Sequence, residues 1–232
     1  MPTNYRRHDF ESRPALAEAL AATVASALNE SVETRGGAML AVSGGSTPTH
    51  FFEALSQREL DWSKVTITLI DERYVPETSP RSNAALVRGK LLKNNAATAE
   101  FRPLYRDGVT IEQAAEMANN HWDEDDDRCD VVVLGMGNDG HTASFFPDAT
   151  NLNTLLNPNR RSHVDVVYAQ SAGEPRLTMT LAAIIPTPLI ALQIEGEDKA
   201  ATLKKALAAG STLPIKRIID AAQTPVEIFW AP

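Results

Sequence analysis

The chain of 232 residues contains a single cysteine, Cys129. A disulfide framework within the chain is therefore excluded, and so is a zinc site built from several thiolates. Cys129 stands where an apolar run begins, so a buried structural thiol is expected. Long apolar runs are lacking too: none approaches the roughly 20 residues that a membrane-crossing helix requires. Arg6 and Arg7 near the start are not followed by the apolar core of a signal peptide. The expectation is a cytoplasmic protein with no membrane partner. Positive charge is in deficit, with 22 Lys and Arg against 30 Asp and Glu, a formal net charge of -8 and a pI of about 5.2. Phosphate backbones need a basic face, so no nucleic-acid partner is expected. A small anionic substrate remains compatible, because a few well-placed cations outweigh a distant negative surface.

Several catalytic signatures are also absent. No serine sits in G-x-S-x-G, which excludes a nucleophile elbow. His8, His50, His121 and His163 form neither H-x-x-x-H nor H-E-x-x-H. The acidic run 123–127 lacks the glycine and the spacing of a calcium loop, and reads as a solvated stretch. No metal is expected. There is no internal repeat and no low-complexity linker, so residues 1–232 are read as one domain.

What is present is a hydrophobic content of 43% in short blocks that alternate with helical patterns. Helices are expected over 13–34, ended by Gly36-Gly37, and over 47–55, 84–92, 110–122, 176–185 and 198–209. Buried strands are expected over 38–42, 65–70, 130–134, 164–168, 189–194 and 226–230. Thr47-Pro48 should open its helix, with Thr as cap and Pro in the first turn. Strands alternating with helices predict an α/β fold: a mostly parallel sheet with helices on both faces. Ligands of such sheets bind where loops leave the carboxyl ends of strands. Three loops qualify, each following an apolar strand: Ser43-Gly44-Gly45-Ser46-Thr47-Pro48, Asp71-Glu72-Arg73-Tyr74-Val75-Pro76, and Gly135 through His141.

The first loop brings backbone N–H groups and a helix start to one place, which suits an anion. It has no P-loop lysine, so a nucleoside triphosphate is disfavoured. In the second, Arg73 suits a phosphate or carboxylate, whose two oxygens match its planar fork. The third matches G-x-G-x-x-G from Gly135 to Gly140, but Pro147 leaves no room for the helix of a dinucleotide site. No acid follows the next candidate strand to hold a ribose. Its side chains are more informative. Asp139 and His141 flank Gly140, and a carboxylate beside an imidazole fixes its tautomer and supports the charge formed when it takes a proton. Arg176 and Lys199 each fall near an expected helix start, where a cation opposes the macrodipole, and this hints at a ligand.

On these stretches, with Ser82-Asn83, Thr142 to Pro147, Pro175 to Thr180 and Gly196 to Ala200, the chain resembles the 6-phosphogluconolactonases of the oxidative pentose phosphate pathway. The resemblance implies a three-layer Rossmann-like fold, shared with the glucosamine-6-phosphate deaminases, and no metal or redox cofactor. It implies hydrolysis of 6-phospho-D-glucono-1,5-lactone by a monomer or homodimer. His141 would be the general base and Asp139 its support. Arg73, Arg176 and Lys199 would hold the phosphate and neighbouring hydroxyls, with Ser43, Gly44, Gly45, Ser46 and Thr47 adding backbone donors. Asn83, Gly137 and Asn138 belong to the same implied site. Asp71 would either bond sugar hydroxyls or orient Arg73. Amides of the loop 135–140 are candidates for stabilising an oxyanion. Two rivals remain. A deaminase would carry a carboxylate where Phe146 precedes Pro147 and would read Asp-Glu-Tyr in place of Asp71-Glu72-Arg73. A non-catalytic sugar-phosphate sensor would keep the cations without needing His141.

Overall fold

The computed structural model describes residues 4–124 and 128–232, leaving the side chains of 123 and 124 aside. The acidic run 123–127 considered as an ion site thus lies outside the described side chains.

Strand β1 (Tyr5–Asp9) leads into helix α1 (Arg13–Arg35). The Ser12 side chain accepts the Ala15 amide, Pro14 lies in the first turn, and Leu16, Leu20, Val24 and Leu28 form a buried stripe at four-residue steps. There follow β2 (Ala38–Val42), α2 (Thr49–Ser56), β3 (Val65–Leu69), β4 (Asp71–Arg73), α3 (Asn83–Lys90), β5 (Glu100–Arg102), α4 (Ile111–Glu124) and β6 (Val131–Leu134). The remaining elements are α5 (Leu152–Leu155), β7 (Val164–Val167), β8 (Arg176–Met179), α6 (Leu181–Ile184), β9 (Leu189–Glu195), α7 (Glu197–Leu207), α8 (Pro214–Ala221) and β10 (Val226–Ala231).

Seven strands form one parallel sheet in the order β1-β10-β9-β6-β2-β3-β5. Its central strands β2 and β6 are buried throughout, as expected for strands covered on both faces. Alternation divides their side chains. Leu40, Val42, Val131 and Val133 enter the core under α1 and α2, while Met39, Ala41, Val132 and Leu134 enter the core under α7 and α8. The result is the expected three-layer α/β architecture.

Chain order decides where a ligand can sit. From β2 the chain moves outward to β3 and β5, and from β6 it moves the other way to β9 and β10. The adjacent strands β2 and β6 therefore flank the point where strand order reverses, and a crevice opens at their carboxyl ends. The loops that leave them are Ser43–Pro48 and Gly135–His141.

Several expectations are corrected. The segment 176–185 is not one helix: Arg176–Met179 is a strand, and only the turn Leu181–Ile184, capped by Thr180, is helical. Asp71-Glu72-Arg73 is likewise a strand instead of a loop. The two pair antiparallel, Asp71 opposite Thr178 and Arg73 opposite Arg176, in a second sheet of order β4-β8-β7. That pairing buries Leu177 and Met179 completely, and this tertiary burial outweighs local helix preference. Strand β7, expected in the parallel sheet, belongs to this second one. Helix α2 starts at Thr49 with Pro48 at its cap position and no side-chain cap bond, so Thr47 does not cap it. The elements β1, β5, α5 and α8 add to those expected.

Candidate active site

A cleft of about 230 Å³ opens at the carboxyl ends of β2 and β6, bordered by the Ser43–Pro48 loop, β4, β8, the 135–143 loop, Gln193 and Lys199. All the anticipated site residues line it except Asn138 and Asp139. Asn138 is exposed, and its carbonyl accepts the Thr202 hydroxyl at 3.0 Å, which ties the loop to α7. Asp139 reaches the cleft through His141.

The loop after β6 is a tight support. Gly137 N donates to the His141 carbonyl at 2.9 Å and Gly140 N to the Gly137 carbonyl at 3.0 Å. Gly135 N donates to Ser43 Oγ at 3.2 Å, and Thr142 Oγ1 to the Gly135 carbonyl at 2.7 Å. On this base the Asp139 carboxylate bonds His141 Nδ1 at 2.5 Å and the His141 amide at 3.2 Å. An ionised carboxylate only accepts, so Nδ1 carries the proton and Nε2 is left as a proton acceptor. The His141 side chain is 31% exposed, open to water yet held in place. Gly137 is required beneath it, since a Cβ there would lie 2.3 Å from His141 Cε1. The amides of Gly137 and Gly140 are engaged within the loop, and that of Gly135 by Ser43. That removes three of the oxyanion donors considered from sequence.

The opposite wall is cationic. Arg73 and Arg176 are direct cross-strand partners, a placement that costs stability for like charges. Each Nε is buried with no hydrogen-bond partner among the described residues. Arg176 lies 3.8 Å from both Asp71 Oδ2 and Glu174 Oε1 and donates to the Ala172 carbonyl at 3.0 Å. Burial pulls its pKa down and Asp71 pulls it back up, without threatening its charge. Asp71 is itself held by Ser144 Oγ at 2.7 Å, which links the His141 loop to the arginine pair. Arg73 Nη1 donates to the Arg81 carbonyl, so what the two arginines share is one buried, unpaired Nε each, a donor arrangement that suits an anion.

Glu72 anchors this wall. It is fully buried and accepts from the amides of Arg73, Asn83 and Ala84, each at 2.8 Å, and from Ser82 Oγ at 3.1 Å. Burial raises its pKa while those donors oppose the rise. Its bonds fold α3 back onto β4 and aim Asn83 at the cleft, where Nδ2 donates to the Asp71 carbonyl at 2.9 Å. Asn83 lies so close to Gly44 that a Cβ there would fall 1.9 Å from Oδ1.

Lys199 closes the third side. Its Nζ donates to Thr47 Oγ1 at 3.1 Å from the first turn of α7, where the macrodipole disfavours a cation. Burial lowers its pKa, with Glu195 raising and Arg13 lowering it. Arg176, by contrast, is not at a helix start, so the dipole argument made for it falls away. Phe146 joins the two chemistries: its ring lies 4.6 Å from the His141 ring and 5.4 Å from the Arg176 guanidinium. Among the described residues no cluster of three His, Cys, Asp or Glu has the geometry of a metal site. No described helix is long and apolar enough to cross a membrane.

Sequence reasoning missed Ser144 and Gln193. The signal for Gln193 was present, since it is the one amide in the otherwise apolar run Leu189–Ile194.

Comparison with known proteins gives the chain's relatives. The model of the family described as glucosamine-6-phosphate isomerases/6-phosphogluconolactonase matches residues 11–230. A 6-phosphogluconolactonase of Mesorhizobium japonicum is 53% identical, with 99% of this chain and 96% of that one covered. One of Rhizobium meliloti is 49% identical, covering 97% of this chain and 98% of that one. A crystal structure of a 6-phosphogluconolactonase from Shewanella baltica superposes with a TM-score of 0.93 at 39% identity, covering 98% of both chains.

Proposed function

Because this chain belongs to the glucosamine-6-phosphate isomerase/6-phosphogluconolactonase family, we propose that it hydrolyses 6-phospho-D-glucono-1,5-lactone to 6-phospho-D-gluconate, as one domain serving the oxidative pentose phosphate pathway. The observation that carries this reading is the Asp139–His141 bond at the edge of a cleft whose other walls bear Arg73, Arg176 and Lys199.

His141 Nε2 takes a proton from water as the water oxygen attacks C1. Asp139 stabilises the imidazolium that forms. The tetrahedral oxyanion collapses by breaking the C1–O5 bond, and O5 receives the proton from His141. A lactone is an activated ester, so no covalent nucleophile is needed. The three cations and the Ser43–Thr47 loop bind the phosphate and neighbouring hydroxyls. This binding energy, remote from C1, orients the ring against the base. With the amides of Gly135, Gly137 and Gly140 engaged, the loop donors left for the oxyanion are the amides of Met136, Asn138 and Asp139. Phe146 favours lactone hydrolysis over deamination, because an apolar ring packs on His141 where a deaminase would present a carboxylate.

The test is hydrolysis of the phosphorylated lactone with the spontaneous rate subtracted. Acceleration well above background is expected, with no ammonia released from glucosamine 6-phosphate. Ammonia release without lactone turnover would establish the deaminase, and binding of both sugar phosphates without turnover would establish the sensor.

Lys199 gives a second expected outcome. Its lowered pKa means that the ammonium is lost at a lower pH than for an ordinary lysine, whereas a bound phosphate favours the ammonium. Affinity for 6-phosphogluconate should therefore decline as pH rises into the alkaline range, with proton uptake on binding. Calorimetry in buffers of different ionisation enthalpy measures that uptake. Lys199→Met should remove it and weaken binding roughly ten- to hundredfold, the loss of a charged hydrogen bond. Unchanged uptake in the variant would assign the proton to another group.

A further inference from the structure

Gln193 lies on β9 with 2% of its surface exposed and lines the cleft together with Thr47 and Lys199. Its Nε2 donates to the Thr47 carbonyl at 3.2 Å and to Glu195 Oε1 at 3.1 Å. Both partners are acceptors, so the orientation of the amide is fixed: the nitrogen must face them and the oxygen must face away. That oxygen, Oε1, is buried and has no donor among the described residues. A buried acceptor without a partner is costly, because the water it gave up is not replaced. Strand β9 would carry an apolar residue here at no such cost, as it does on the same face at Leu189 and Ala191.

We propose that Gln193 is a substrate-binding and specificity residue whose Oε1 accepts a hydrogen bond from a hydroxyl of the bound sugar phosphate, beside the wall formed by Thr47 and Lys199. This rests on the lactonase reading and extends it. An amide oxygen repels a phosphate dianion but welcomes a hydroxyl donor, so it separates a polyhydroxylated substrate from a bare anion attracted by the same cations. The wall has to give slightly for the hydroxyl to reach Oε1. The Ser43–Thr47 loop is suited to that, since it contains Gly44 and Gly45 and enters α2 without a side-chain cap. Meanwhile the Nε2 bonds hold Thr47 and Glu195 in register.

The test pairs Gln193→Met, and Gln193→Leu as a second packing solution, with 6-phosphogluconate and its 2-, 3- and 4-deoxy analogues, binding being measured by calorimetry. Wild type should lose about tenfold in affinity for one of the analogues, the worth of a neutral hydrogen bond. The variants should bind 6-phosphogluconate about tenfold more weakly than wild type yet bind that analogue as wild type does. A variant that weakens every ligand by the same factor acts only through the loop, and the inference fails. It also fails if wild type treats all the analogues alike, a result that needs no variant to fold. Each of these failures leaves the lactonase reading intact so long as wild type turns over the lactone. Absence of both turnover and 6-phosphogluconate binding in wild type would overturn the two together.

Discussion

His141→Ala is expected to lower kcat for the phosphorylated lactone by about 10²–10⁴-fold, the range of general-base contributions, while affinity for 6-phosphogluconate stays close to that of wild type. The separation follows from the geometry. His141 meets Asp139 and Phe146, whereas Arg73, Arg176 and Lys199 stand on other walls and keep their own supports. Asp139 sharpens the test. With a carboxylate on Nδ1, the imidazole must hold its proton there and present Nε2 as acceptor. In Asp139→Asn the side-chain amide can donate to Nδ1, which moves the ring proton to Nε2 and turns the base into a donor. Asp139→Asn should therefore be at least as slow as Asp139→Ala, although it is the closer match in shape. Steady-state hydrolysis, corrected for the spontaneous reaction, measures both. A His141→Ala variant as fast as wild type would remove the histidine from the mechanism.

The loops that form the site were legible because each follows a strand whose residues are apolar in both parities. Ala38 to Val42 and Val131 to Leu134 announce central strands, and glycine with Ser, Asn and Asp after them announces the turns. The anion-binding wall was only partly legible. Arg73 and Arg176 were identified, yet their direct opposition depends on a pairing between segments about 100 residues apart. Arg-Leu-Thr-Met fits a helix as readily as a strand until Leu177 and Met179 find the core. For the same reason Ser144 gave no signal: its partner, Asp71, is 73 residues away. Edge strands β1 and β5 were hidden differently. Tyr5–Asp9 carries Arg6, Arg7, His8 and Asp9, all exposed, and such a charged strand protects a sheet edge from pairing with another chain while erasing the apolar signature of a strand.

Gly137→Ala should abolish most of the catalytic acceleration without replacing any group that takes part in the chemistry. The added methyl would lie 2.3 Å from His141 Cε1, 2.4 Å from Nδ1 and 2.6 Å from Asp139 Oδ1, distances that no real Cβ tolerates. The backbone cannot retreat, because Gly137 is bound on both sides, through its amide to the His141 carbonyl and through its carbonyl to the Gly140 amide. The partly exposed imidazole is the part able to move, and it must swing away from Asp139. A displacement of about 1 Å at a reacting group can cost on the order of 10²-fold in rate, and loss of the carboxylate bond adds to it. The expected kcat thus approaches that of His141→Ala, with product affinity retained. Combining the two substitutions should cost no more than His141→Ala alone, since the methyl then has no ring to displace. Gly135→Ala is the matched control in the same loop: its Cβ would meet only Ser43 Cβ at 3.8 Å, an ordinary contact, so near-normal turnover is expected. Equal damage from both alanines would mean that the loop needs glycine for its backbone path; damage confined to position 137 would mean that it needs room for the Asp139–His141 pair.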